Sequence, residues 1–156
     1  MELLPKRKAK RKRSMALWIV PAAVLAVAGI AYAAMMWIMS PPDDLDLALS
    51  KASADGRYVT TIEAGLDPLA VGPMHSWTIE VKTIDGRPVD DAAVTIDGGM
   101  PQHGHGLPTQ PQVTQTLGNG RYLLEGMKFN MPGWWTLTVK VDGPDGRDET
   151  TFNLVL

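Results

Sequence analysis

The three histidines of the chain, and the four methionines beyond residue 40, fall into three groups: Met74 with His75, Met100 with His103 and His105, and Met127 with Met131. Imidazole is a borderline donor and thioether a soft one, so the mixture suits copper, and the thioether favours Cu(I). The densest group lies in Met100-Pro-Gln-His-Gly-His-Gly-Leu-Pro-Thr-Gln-Pro111. In an extended segment His103 and His105 project to one side, and Gly104 removes a side chain that would obstruct the backbone. Two imidazoles could then grip one ion. A closed tetrahedral zinc site needs two further nitrogen or carboxylate donors, and His75 is the one obvious addition. Pro101, Pro108 and Pro111 withhold backbone donors and stiffen the stretch. Each group also has a plainer reading. His75 is in phase with Trp77 and Ile79 and can be a hydrogen-bonded residue at a strand start. Met127 can be core filler. The His-Gly-His stretch can be a turn with polar tips.

The elements around these residues repeat with a period of two. His75, Trp77, Ile79 and Val81 alternate with Ser76, Thr78, Glu80 and Lys82, and Trp135, Leu137, Val139 and Val141 with Thr136, Thr138 and Lys140. Each is a strand with one wet face. Further strands are expected over 58–64, 92–97, 113–117, 121–127 and 149–155. Asp85-Gly86, Asp97-Gly98-Gly99, Gly118-Asn119-Gly120 and Asp145-Gly146 supply turns between them. About seven short strands over residues 57–156 predict an all-β, immunoglobulin-like antiparallel β-sandwich. Trp77, Ile79, Tyr122, Leu124, Trp135 and Leu137 should point inward. Trp134 and Trp135 cannot both do so, which leaves one as a surface contact.

Residues 15–39 form an uncharged run of 25, about 37 Å as a helix against a hydrocarbon core of about 30 Å. Residues 1–14 hold seven of the fifteen Lys and Arg against a single acid, Glu2, whereas from Asp43 onward eight basic residues face sixteen acids. The positive-inside bias therefore predicts a basic cytoplasmic tail over 1–14, a transmembrane helix over 15–39 and an external remainder, in a bacterium the periplasm. Trp18 and Trp37 lie where interfacial indoles are expected. Ala31 and Ala33 offer the small-x-small pattern of a cleavable signal, but the apolar run continues to Met39 and outlasts a signal core, so an uncleaved anchor is expected. Pro41 and Pro42 stop the helix, and a linker of low order is expected over 40–56.

Composition removes other classes. Cysteine is absent, which excludes disulfides, thiol catalysis and cysteine-ligated metals. The acidic external part repels phosphate, so no nucleic-acid partner is expected. No local motif signals a catalytic triad, a phosphate loop or a carboxylate pair, and no enzyme is expected.

Met100-Pro-x-His-Gly-His-Gly-x-Pro-Thr-x-Pro111, then Gly120-Arg-Tyr, then Gly126-Met-x-Phe-x-Met-x-Gly-x-Trp135 resembles the YtkA-like domain family, whose relatives include FixH-like membrane-anchored proteins. The likeness covers roughly residues 57–156. It implies an immunoglobulin-like sandwich and a link to copper handling or to haem-copper oxidase assembly. Carried over residue by residue it reaches Met100, His103, His105 and Met131, with His75 a weaker match. The expected protein is a single-pass inner-membrane metallochaperone holding copper, as Cu(I), for a respiratory or other membrane cuproenzyme. The rival is a metal-free scaffold or assembly subunit that contacts partners through the Pro-rich loop and Trp134. A reporter fused after Leu156 should be active only outside the cytoplasm; recovery of a soluble chain beginning at Ala34 would replace the anchor by a cleaved signal.

Overall fold

The computed structural model describes residues 16–38 and 40–156. The basic tail expected over 1–14, and Met15 and Met39 at the ends of the expected span, lie outside the described residues. Two compact units divide at Ser40. In the first, α1 (Ala16–Ile38) is 23 residues without a charge, with Pro21 in its second turn, where it removes one i to i−4 hydrogen bond. Its segment Trp18–Ile38 is long and apolar enough to cross a membrane once, and every side chain along it is exposed.

The second unit is a sandwich of two antiparallel sheets, with nine strands among the described residues. One sheet is ordered β1 (Ser50–Ala52), β2 (Tyr58–Ala64), β3 (Met74–Thr83), β7 (Arg121–Lys128), β6 (Gln112–Gly118). The other is ordered β5 (His105–Gly106), β4 (Ala93–Met100), β8 (Trp134–Gly143), β9 (Gly146–Val155). All seven expected strands are present. The count rises to nine because β1 and β5 are too short, at three and two residues, to carry a readable alternation.

β1 also corrects the low-order linker expected over 40–56. Ser50 pairs with Thr61 and Ala52 with Val59, and the carbonyl of Asp46 accepts from the Asn153 amide at 3.0 Å. Lys51 pairs with the Asp46 carboxylate at 2.9 Å. Residues 50–52 thus form the edge strand of the first sheet.

The inward faces of both sheets carry the apolar half of each alternation. The six side chains expected inside, Trp77, Ile79, Tyr122, Leu124, Trp135 and Leu137, are all buried. Three rings bridge the sheets at one end: Trp77 meets Phe129 at 6.4 Å and Phe129 meets Trp135 at 5.2 Å, both edge to face. Trp134 takes the surface position and donates its Nε1–H to Asn153 Oδ1 at 3.1 Å.

The other end is held by polar groups. Asp148, buried on β9, accepts from the Ser53 hydroxyl at 2.6 Å and from the backbone N–H groups of Asp55, Arg57 and Glu149. Burial alone would raise its pKa, but these four donors outweigh burial and lower it to about 2. A depressed folded-state value stabilises the fold above the unfolded-state pKa of 3.8. That contribution is lost as pH falls through the range down to about 2. Asp148→Asn should therefore lower stability at neutral pH by about 2 kcal/mol, the scale of a hydrogen bond to a buried charge, and flatten the acid limb of a denaturation profile. Trp135→Ala should cost about 3–5 kcal/mol by chemical denaturation, the range for emptying an aromatic core site.

Candidate metal centre

The topology collects every histidine, and every methionine of the sandwich, at the end closed by the three rings. His75 pairs with Met127 at the start of β3 and the end of β7. Gly99 pairs with Thr136 at the end of β4 and the start of β8. Residues 129–133 join β7 to β8 across that end.

His103 and His105 belong to a tight hairpin between β4 and β5. The Met100 carbonyl accepts from the N–H of His103 at 3.1 Å and of Gly104 at 2.9 Å, and Gly104 has φ +64°, a left-handed turn that a Cβ disfavours. The segment is thus not extended, which corrects the expected reason for the role of Gly104. The turn sets the two imidazoles nearly parallel, at 14°, with ring centres 6.3 Å apart. His103 is half-buried and His105 exposed. Behind them β5 lies close on β4: a Cβ on Gly99 would stand 2.3 Å from the His105 carbonyl. The Leu107 N–H closes the ribbon on Gly98 O at 3.0 Å.

The neighbouring residues pin this hairpin. Gln102 donates from Nε2 to the Ser40 carbonyl at 2.7 Å, tying it to the point where the chain enters the domain. Thr109 donates to the Gly126 carbonyl at 2.6 Å and holds the Pro-rich stretch on β7. Thr109 stands in the motif that carries the family resemblance, but Gln102 does not, because a side-chain bond to distant backbone leaves no periodic signal.

The expected methionine donors lie further in. Met100 is directly opposite His105 in the ribbon, yet its side chain is only 1% exposed and its methyl rests on Gly133, where a Cβ would lie 3.0 Å away. Met131 is half-buried against the core, and its carbonyl accepts the Trp135 Nε1–H at 3.1 Å. Met127 is fully buried, in keeping with its packing role. His75 is half-buried, with Nδ1 3.3 Å from the Pro73 carbonyl. It does not join the hairpin histidines: among the described residues no three His, Cys, Asp or Glu side chains gather around one point. The structure therefore brings His103 and His105 together, places Met100 beneath them with its side chain turned to the core, and sets His75 apart.

The family model described as YtkA-like matches residues 58–140, more than half of the chain, and the protein belongs to the YtkA-like family. Neither the curated proteins nor the solved structures contain a match to the chain.

Proposed function

We propose that the protein is a membrane-anchored, extracytoplasmic copper-binding protein that holds copper as Cu(I), or passes it to a respiratory or other membrane cuproenzyme, through His103 and His105 with Met100 or Met131. The observation that carries this reading is the pair of near-parallel imidazoles 6.3 Å apart on an exposed hairpin. A metal–nitrogen bond of about 2 Å and a ring radius of about 1 Å on each side give ring centres about 6 Å apart when the two rings lie in line with the ion; from the stacked arrangement the rings would turn their nitrogen edges to a shared ion. Two neutral donors without a clustered carboxylate suit a monovalent ion better than a divalent one.

The same features suit transfer. An ion held by few donors at a hairpin tip is open on its outer side, so an acceptor can replace the imidazoles one at a time without releasing a free ion. Met100 stands nearest in the register; to reach such an ion its thioether would have to turn away from Gly133. The role is one of binding and handing on, with no bond-making chemistry assigned to any side chain.

Replacing His103 and His105 together by Ala in the full chain in detergent should remove most Cu(I) binding and leave the fold intact, because a hairpin tip adds little to the core. Met100→Leu keeps volume and deletes the sulfur, so Cu(I) competition should weaken more than Cu(II) titration. A double-histidine variant that binds Cu(I) as the parent does would end the copper reading of the hairpin. The protein-contact reading, with the Pro-rich loop and Trp134 as its surface, would then replace it.

A further inference from the structure

Two buried side-chain nitrogens among the described residues have no hydrogen-bond partner, His75 Nε2 and Trp77 Nε1, and both lie in the ring cluster. His75 is 6.1 Å from Trp77 and 5.8 Å from Phe129, centre to centre. In the tautomer that donates from Nδ1 to the Pro73 carbonyl, 3.3 Å away, Nε2 carries a lone pair. That lone pair points into protein. This is the arrangement in which one ring nitrogen is held by a backbone carbonyl and the other is ready to ligate.

Met127 is its cross-strand partner. Directly opposed residues of an antiparallel pair share a face, with Cβ atoms about 5 Å apart. The ladder breaks between His75 and Trp77, and Gly126 there has φ +85°; such bulges re-aim side chains. We propose that His75 Nε2 and the Met127 thioether form a second donor pair, distinct from the hairpin, for a soft monovalent cation such as Cu(I) or Ag(I). A dication would be costly here, since the surroundings are aromatic and Met127 is fully buried. The partly exposed edge of His75 is the way in for a monovalent ion.

The experiment is Ag(I) titration of the full chain carrying His103→Ala and His105→Ala in detergent, read by long-range proton–nitrogen NMR of the one remaining histidine. The expected result is a bound Ag(I) that shifts the His75 Nε2 signal, and an affinity lowered about tenfold or more by the volume-conserving Met127→Leu, as for other losses around a metal. An Nε2 signal unmoved at saturating Ag(I) overturns the proposal and leaves a bridging water between Trp77 Nε1–H and His75 Nε2 as the occupant. Affinity unchanged by Met127→Leu in a variant of native fold overturns the pairing. Because the hairpin histidines are absent throughout, these outcomes are independent of whether the hairpin binds copper.

Discussion

Phe129 meets Trp135 edge to face at 5.2 Å, and this contact closes one end of the sandwich. Phe129 follows β7 in one sheet and Trp135 lies in β8 of the other, so the pair sets how the 129–133 connection crosses between them. The Trp135 Nε1–H holds the Met131 carbonyl within that connection, and Gly133 offers Met100 a surface without a side chain. Met100 in turn holds the hairpin, because its carbonyl takes the two N–H groups that start the turn. The position of the imidazoles thus depends on an apolar contact that no metal donor takes part in.

The two ends of the sandwich are stabilised by different physics. At the Asp148 end four donors converge on one carboxylate, which fixes the 53–57 turn to β9. That arrangement is rigid and fully satisfied, and it is structural. At the ring end packing dominates, and the buried polar atoms without partners are found there. The two ends thus differ in polar satisfaction: the Asp148 carboxylate is met by four donors, whereas His75 Nε2 and Trp77 Nε1 have none.

Strand alternation made most of the fold legible. Trp77, Ile79, Tyr122, Leu124, Trp135 and Leu137 were identifiable as core because a strand with one wet face must alternate, and the apolar run of α1 is legible by length alone. β1 and β5 were not, since two or three residues hold no period. The order of segment 40–56 was hidden as well: Asp46 is held by Asn153, more than a hundred residues away in sequence. Ser53 is buried through Asp148, which is nearly as remote.

For the candidate site, the sequence by itself determined the side-chain chemistry: three histidines, four methionines and no cysteine beyond residue 40, with His103 and His105 two residues apart. Identity and local spacing are covalent properties and need no fold to be read. Only the tertiary structure decided which donors share a neighbourhood, since that depends on strand register and on which face a turn presents. Two sequence groups, Met74-His75 and Met127-Met131, become one neighbourhood by the β3–β7 pairing. Met100 and His105, five residues apart in the chain and opposed in the ribbon, differ in exposure because inward packing on Gly133 takes the first and the hairpin edge leaves the second in solvent.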